Sequence, residues 1–302
     1  MTQSRVFFMG ANAPGGFYGL FGELQKPPVR RLYILKGGPG NGKSTYLRRI
    51  AEEAEKAGAE TERILCASDP ASLDGLYIPA AGLAWVDGTS PHVAEPRLPG
   101  VRDSDVNLGA LWNAEALEPS AERLEALFRE HAAAQAQAAR CIRAAGAVYE
   151  ALGALPGALD AGKLQRRAKG IAAREFGRRR AAGTGRIDRR FLTAITPEGQ
   201  KDLYATAFSL CPRMYVLEDP VCAGTPLLES LCAAAVRAGW SVYACGHPLA
   251  PEKLTHLLVP GAGVGFVTSD TVFPCARTAY RRMKMENLTE GKAWKPALRR
   301  YR

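Results

Sequence analysis

The amino-acid sequence predicts an α/β fold, in which a parallel sheet carries helices on both faces. Apolar, β-prone runs such as residues 31–35 alternate with segments of helical periodicity such as residues 43–57. A glycine-rich segment joins these two elements, and similar strand-like runs recur about 180 residues later in the chain of 302 residues. The length and the recurrence together predict two related sheet domains.

The composition is that of a globular protein, with 47% hydrophobic and 23% charged residues. No apolar run is long enough to cross a bilayer, and the first residues lack the cleavage site of a signal peptide. The seven cysteines are scattered and form no C-x-x-C pair, which argues against a disulfide framework. We therefore expect a cytoplasmic protein that does not enter a membrane.

Residues 37–44, which follow the first long strand, match the phosphate-loop pattern G-x-x-x-x-G-K-[ST] at every fixed position. In such a loop, consecutive backbone N–H groups and the N-terminus of the next helix bind phosphate. A glycine-rich turn without a ligand is the alternative, but the flanking strand and helix favour the phosphate loop. The predicted nucleotide-binding residues are Gly37, Gly38, Pro39, Gly40, Asn41, Gly42, Lys43, Ser44 and Thr45.

This motif predicts a P-loop NTPase-type sheet that binds ATP with Mg²⁺. Lys43 is expected to contact the β- and γ-phosphates, and the Ser44 hydroxyl is expected to ligate Mg²⁺. Residues 83–87 form a second apolar run that ends at Asp87, about 40 residues after Lys43. We therefore predict Ser44 and Asp87 as metal ligands, and Lys43 and Asp87 as members of the catalytic set.

The loop after an intervening strand at residues 63–67 supplies a further catalytic candidate, Asp69. A carboxylate at the carboxyl end of a strand could orient water, bind Mg²⁺ or accept a proton from a substrate hydroxyl. Asp74 is a second candidate, although residues 69–74 could instead form a turn and cap a helix. His92 and Asn12 are weaker candidates for contact with the substrate or the nucleotide. The absence of an N-K-x-D segment favours ATP over a guanine nucleotide.

A helical insert is predicted between the two copies. Residues 120–152 contain no proline and read as one long helix, and residues 158–180 read as a returning helix. We expect the pair to form a helical hairpin that projects from the sheet. The predicted domains are therefore residues 1–115 (NTP-binding), residues 116–186 (helical hairpin) and residues 187–302 (second copy).

The second copy lacks the chemistry of the first. Residues 33–35 align with residues 215–217, and residues 78–86 with residues 258–267. Under this alignment the first glycine of the loop becomes Asp219, the lysine becomes threonine, and the following serine becomes proline. A carboxylate there repels phosphate, so we expect a degenerate P-loop-like repeat that does not bind ATP in the usual way. It could serve as a structural layer or hold a specialised site containing His247.

The net charge of +10 is concentrated in two basic segments, residues 163–190 and residues 281–302. Such segments can bind nucleic acid or an acidic protein, although many are solvated surfaces. The arginines at 178–180 could also supply a positive charge to the γ-phosphate. The sequence leaves these alternatives open, as it leaves open whether the chain forms an oligomer.

Three runs, residues 33–45, 66–75 and 86–92, resemble an uncharacterised bacterial family of tandem P-loop ATPase-like proteins, found mainly in spore-forming and related Gram-positive bacteria. The resemblance is close over residues 5–110 and loose over residues 189–270. Both halves commonly keep a phosphate loop in that family, so this chain departs from it in its second half. The resemblance implies ATP binding and a cytoplasmic setting, and it supplies no substrate.

The function expected from the sequence is that of a Mg²⁺-dependent ATPase, which couples nucleotide binding and hydrolysis to a conformational change. No glutamate follows Asp87, which argues against a strong motor. One alternative is a small-molecule kinase in which Asp69 activates an acceptor hydroxyl. Another is an ATP-gated module that binds nucleic acid or an acidic partner through its basic segments.

Overall fold

The computed structural model describes residues 4–90, 93–154, 160–177, 183–220 and 223–288. The chain divides into two compact units, residues 1–144 and residues 145–302. The three-part division predicted from the sequence, with boundaries after residues 115 and 186, does not coincide with this two-part division.

The first unit contains eight strands, a 3₁₀-helix at Phe21–Gln25 and the helix α1, Lys43–Lys56. The short helix α2, Ala114–Leu117, follows the last strand, and the long helix α3, Ala121–Gly153, contains the boundary between the units. The strands are β1 (Arg5–Phe8), β2 (Gly10–Ala13), β3 (Gly16–Gly19), β4 (Arg31–Lys36), β5 (Glu62–Leu65), β6 (Leu73–Ile78), β7 (Leu83–Asp87) and β8 (Asp103–Asn107).

Six of these strands form a mixed sheet in the order β1-β5-β6-β7-β4-β8. The strand β6 runs antiparallel to β5 and to β7, and every other adjacent pair is parallel. The expectation of a parallel sheet is therefore wrong at β6. Alternating apolar residues indicate a strand but not its direction, so the sequence pattern could not reveal the reversal.

The helix α1 packs on one face of this sheet. Leu47 and Ala51, one turn apart on α1, contact Leu35 of β4, Trp85 of β7 and apolar residues of β6. Because the face of α1 that carries these residues is fully covered, the helix is fixed relative to the ends of β4 and β7. The loop between β4 and α1 is therefore attached to a rigid support at both ends.

The second unit contains the helices α4 (Ala161–Glu175), α5 (Tyr204–Leu210) and α6 (Thr225–Arg237). Its strands are β9 (Ile187–Phe191), β10 (Thr193–Thr196), β11 (Gly199–Asp202), β12 (Arg213–Glu218), β13 (Val242–His247), β14 (Ala250–Val259), β15 (Val264–Ser269) and β16 (Arg281–Lys284). The sheet order is β9-β13-β14-β15-β12-β16, and β14 is antiparallel to both of its neighbours.

The two units have the same topology. Each has a first sheet strand, a small antiparallel hairpin, a short helical segment, a second sheet strand, a helix and then four further strands in the same spatial order. The remaining adjacent pairs of the second sheet are parallel, as in the first. Residues 33–35 and residues 215–217, paired in the sequence alignment, lie in the equivalent strands β4 and β12.

Two helices occupy the region predicted as a hairpin, but α4 does not project. Ala168 and Ile171 of α4 are buried against Leu227, Leu228 and Leu231 of α6. Both ends of α4 are also bonded within the second unit: the Asp160 N–H donates to Leu288 O (2.9 Å), and Trp240 Nε1 donates to Phe176 O (2.7 Å). Because α4 is rich in basic residues, its sequence resembles that of a solvent-exposed helix, and its apolar stripe was not predicted.

In the opening segment, β2 and β3 form a small antiparallel hairpin, in which Asn12 pairs with Phe17. Among the described residues, no helix is both long enough and apolar enough to cross a membrane.

The burial of α4 leads to a stability prediction. Ile171→Ala removes a side chain that is 2% exposed, so we expect it to lower the free energy of unfolding by about 2–5 kcal/mol. Gln165→Ala, on the exposed face of the same helix, is the control and should change it by less than about 0.5 kcal/mol. Urea denaturation followed by circular dichroism measures both. Equal small effects would mean that α4 is a detached arm.

Candidate functional site

The loop between β4 and α1 adopts a backbone that requires glycine. Gly37, Gly40 and Gly42 have φ values of 147°, 82° and 78°, all in the left-handed region. Gly42 is the residue that precedes the first turn of α1. Side chains at these positions would strain the loop, so the glycines of the motif have a conformational role as well as giving access to the backbone.

The N-terminus of α1 has no acceptor for its backbone donors. No side chain caps this helix. Over residues 4–90 and the other described segments, the N–H groups of Gly40, Asn41, Gly42, Lys43 and Ser44 donate to no protein atom. Unbonded N–H groups at a helix N-terminus carry partial positive charge and attract an anion. This loop therefore has the donor set of a phosphate site.

The residues after β8 hold the loop from one side. The Asn41 side chain donates to Leu108 O at 3.0 Å. A Cβ atom on Gly38 would lie 2.6 Å from the ring of Trp112, so only glycine allows this contact. Trp112 remains 48% exposed. Its indole therefore covers part of the loop while staying accessible to solvent.

Lys43 lies at the centre of the loop. Its ammonium donates to the carbonyl oxygens of Gly37 (2.6 Å) and Gly38 (2.9 Å), and its Nζ lies 3.6 Å from Asp87 Oδ2. The carbonyl oxygens are neutral acceptors, which a more strongly charged phosphate oxygen can replace. The predicted binding residues at 37–45 are thus brought together in one loop and the first turn of one helix.

Asp87 lies at the carboxyl end of β7, beside Leu35 at the end of β4. Its Oδ1 accepts hydrogen bonds from the Thr89 N–H (2.9 Å) and the Thr89 hydroxyl (2.5 Å), which leaves Oδ2 facing Lys43. Ser44 Oγ accepts the Leu73 N–H at 2.9 Å and keeps a second lone pair. These oxygens are of the kind that Mg²⁺ uses, together with phosphate oxygens and water.

No group of three or more histidine, cysteine, aspartate or glutamate side chains in the described ranges could hold a metal ion by itself. A magnesium ion carried in with a nucleotide does not need such a cage, because the phosphates and water supply most of its ligands. Ser44 and Asp87 therefore fit a nucleotide-bound Mg²⁺ better than a resident metal.

Asp69 forms a local turn. One carboxylate oxygen accepts the Ala71 N–H (3.2 Å), and the other accepts the Ser72 hydroxyl (2.5 Å). This geometry matches the turn that the sequence offered as the alternative to a catalytic role. The helix that the same alternative placed after Asp74 is absent, because Leu73–Ile78 is the strand β6.

Asp74 lies near Asp87, a proximity that the sequence pattern did not predict. Because β6 is antiparallel, its first residues lie at the sheet edge where β7 ends, and Gly75 pairs with Val86, the residue before Asp87. Asp74 is 4% exposed. The pKa of Asp74 is raised to about 7, mainly by burial. The charges of Asp87 and Asp69 raise this pKa further, whereas a hydrogen bond with Cys66 and the charge of Lys43 lower it.

The two weaker candidates have different outcomes. Asn12 Nδ2 donates to Ala67 O at 3.3 Å, so this side chain supports the loop after β5. His92 lies outside the described residues. The neighbouring segment is fixed by Lys36, whose ammonium donates to Ala94 O (2.8 Å) and Glu95 Oε1 (2.7 Å).

The equivalent loop of the second unit has its own anion. Asp219, which is 2% exposed, accepts the N–H groups of Ala223 (2.8 Å) and Gly224 (2.7 Å) in front of α6. The carboxylate thus occupies the kind of position that a phosphate takes at a helix N-terminus. The sequence predicts that this copy does not bind ATP in the usual way. Besides repelling phosphate, the Asp219 carboxylate already accepts hydrogen bonds from backbone donors of the kind that a phosphate would use.

His247 and His256 are buried near the end of the second sheet. His247, 1% exposed, stacks on Tyr149 with ring centroids 4.2 Å apart, and its Nε2 lies 3.3 Å from Asp270 Oδ2. Burial lowers the pKa of His256 to about 3. These rings are enclosed among aromatic neighbours, which favours the structural alternative for the second copy over a specialised site.

No protein-family model, curated protein or solved structure matches the chain. The resemblance to tandem P-loop ATPase-like proteins therefore stays a prediction, and the site is interpreted from its own geometry.

The position of Asp74 leads to a pH prediction. Between about pH 4 and pH 7 the folded chain keeps this proton while the unfolded chain loses it, so Asp74 lowers stability as the pH rises. We expect the stability of Asp74→Asn relative to the unsubstituted chain to increase by up to about 4 kcal/mol over this range and then to level off. Urea denaturation at a series of pH values measures it. A difference that does not change with pH would contradict the assignment.

The Asp219 cap leads to a second prediction. Asp219→Ala leaves two donors in front of α6 without this acceptor, so we expect a loss of about 1–3 kcal/mol in unfolding free energy. Glu229→Ala removes an exposed carboxylate from the same helix and serves as the control, with an expected change below about 0.5 kcal/mol. Thermal unfolding of both variants measures the difference. Equal midpoint temperatures for Asp219→Ala and Glu229→Ala would exclude the capping role of Asp219.

Proposed function

We propose that the chain is a Mg²⁺-dependent, ATP-binding P-loop protein that hydrolyses ATP slowly and couples this to a conformational change. The observation that carries the proposal is the row of N–H groups from Gly40 to Ser44 around the Lys43 ammonium. In the described part of the chain these N–H groups donate to no acceptor. The matching positions of the second unit carry a built-in carboxylate, so we assign nucleotide binding to the first unit alone.

In this proposal, different groups of the chain bind different parts of the nucleotide and its Mg²⁺. The N–H groups of the loop bind the phosphate chain, and Lys43 exchanges its carbonyl partners for phosphate oxygens. Ser44 and Asp87 are the residues that would hold Mg²⁺, which when bound offsets the negative charge of the phosphates. Trp112 covers Gly38 and excludes water from one side of the loop.

Asp74 is the group we assign to proton transfer. A general base works best when its pKa is near the working pH, and the buried carboxyl of Asp74 meets this condition. It would accept a proton on its carboxylate from the attacking water. Asp69 uses both carboxylate oxygens in its own turn, so the geometry favours an ATPase over the kinase alternative that depends on Asp69.

The coupling to a conformational change follows from the contacts of the loop. Lys43 must release Gly37 and Gly38 to reach a phosphate, and both glycines contact the segment after β8. That segment continues through Trp112 into α2 and α3. A change in the loop therefore acts directly on the start of the helical region.

A titration with Mg-ATP followed by tryptophan fluorescence tests the proposal, because the indole of Trp112 lies on the loop itself. We expect saturable binding that Lys43→Ala weakens by at least tenfold, since a charge-assisted hydrogen bond contributes about 1.5–3 kcal/mol. Slow release of inorganic phosphate should fall in the same variant.

The matched control is Lys56→Ala, which removes the same charge from the exposed far end of the same helix, where Lys56 contacts Glu53. Trp112→Phe identifies the origin of the signal. Identical ATP affinities for Lys43→Ala and Lys56→Ala would reject the phosphate-loop assignment, whatever the hydrolysis rate.

A further inference from the structure

A basic cavity lies in the second unit, between α4 and the chain around β16. Its volume is about 410 Å³. Five of the nine residues that line it carry a positive charge: Lys163, Arg166, Arg167, Arg174 and Arg281. Its nine lining residues all belong to the second unit, so it is a different site from the loop around Lys43.

The cavity is built from one face of a helix. Lys163, Arg166, Arg167 and Arg174 follow helical spacing around Gly170, so their side chains leave the same side of α4. The apolar stripe that packs against α6 lies beside this face, and Ile171 belongs both to the stripe and to the cavity lining. The cationic face is therefore held in place by the packing of the core next to it.

Within the described segments, carboxylates balance the positive charge of the cavity only in part. Lys163 lies 3.2 Å from Asp160, and Arg174 Nε lies 2.9 Å from Glu175 Oε1. Over the described segments, Arg166, Arg167 and Arg281 form no ion pair with a carboxylate. Like charges that converge on a concave surface create a positive potential that favours a bound anion.

One cation is also pre-positioned. Arg174 Nη2 donates to the Tyr215 hydroxyl at 3.0 Å, while the carboxylate of Glu175 is shared with Arg213, whose Nε lies 3.2 Å from Glu175 Oε2. Burial raises the pKa of Glu175, but the hydrogen bonds from Tyr215 and Arg174 outweigh it and hold the pKa below its usual range. Glu175 therefore stays charged and fixes the guanidinium of Arg174.

We propose that this cavity binds a small polyphosphorylated molecule, one that carries two or more phosphate groups. Guanidinium groups match phosphate oxygens in pairs, and four of the five cations are arginines. The volume falls in the range of small-molecule sites. None of the nine residues that line the cavity in the described part of the chain is aromatic, whereas single-stranded nucleic acid is held by stacking of its bases on aromatic rings.

Gly170 allows a sharp test. A Cβ atom at Gly170 would meet no other atom within 4 Å, so a longer side chain there extends into the cavity without a clash. Gly170→Glu and Gly170→Gln place side chains of equal length at this point and differ in charge. Both replace a glycine inside a helix by a better helix former, so neither should lower the stability of α4.

The experiment is calorimetric titration with inorganic tripolyphosphate, without Mg²⁺, on chains that all carry Lys43→Ala. We expect one site per chain in the parent, affinity that falls steeply with salt, and binding at least tenfold weaker in Gly170→Glu than in Gly170→Gln. Equal affinities of the two Gly170 variants, or no binding to the parent, would overturn the proposal.

A titration with an oligothymidylate tests whether the cavity binds single-stranded nucleic acid instead of a small polyphosphorylated molecule. Binding of the oligonucleotide at least tenfold tighter than tripolyphosphate would assign this basic surface to nucleic acid and would also overturn the proposal. The Lys43→Ala background keeps the result separate from the phosphate loop, so this site and the proposed ATPase can fail independently.

Discussion

The backbone donors at the starts of α1 and α6, the helices that follow β4 and β12, are the constraint on which both units depend. A helix leaves its first N–H groups without intrahelical acceptors, and some other group must compensate them. The unit around α6 uses the Asp219 carboxylate for this purpose. In the unit around α1 the same kind of donor meets no acceptor among the residues that the structure describes. Both loops must compensate the same backbone donors. The loop before α6 does so with its own carboxylate, whereas the donors of the loop before α1 are suited to a bound ligand.

The common topology explains how the two solutions coexist. In each sheet one strand, β6 or β14, runs antiparallel to both of its neighbours. This strand therefore begins at the end of the sheet where those neighbours finish. In the first sheet this reversal brings the buried Asp74 beside Asp87. In the second sheet the equivalent region contains Thr255 and Thr268, joined by a hydrogen bond from the Thr268 hydroxyl to Thr255 O. The same scaffold therefore presents carboxylates in one unit and neutral hydroxyls in the other.

The sequence identified the loop at residues 37–44 and the strand end at Asp87, because a dense motif and an apolar run mark these features locally. It assigned the sheet direction wrongly at β6, because alternation of apolar residues is the same in both directions. The proximity of Asp74 to Asp87 was not predicted for this reason, since only the reversal brings Asp74 to the site. The sequence also interpreted Asp219 as a repulsive charge, whereas its role as a cap depends on a loop geometry that no pattern reveals.

The Asp219 carboxylate has a consequence for how the two loops respond to their surroundings. A group attached to the chain is present at a high effective concentration, which a free anion at millimolar levels does not match. The loop before α6 therefore keeps its carboxylate whatever the concentration of free anions, and its contribution to stability does not depend on that concentration. On the function proposed above, the loop before α1 instead gains stability with the logarithm of the ligand concentration once this exceeds the dissociation constant. The proposal therefore implies that two units of the same topology differ in a thermodynamic property: the stability of only one depends on the anions in its solution.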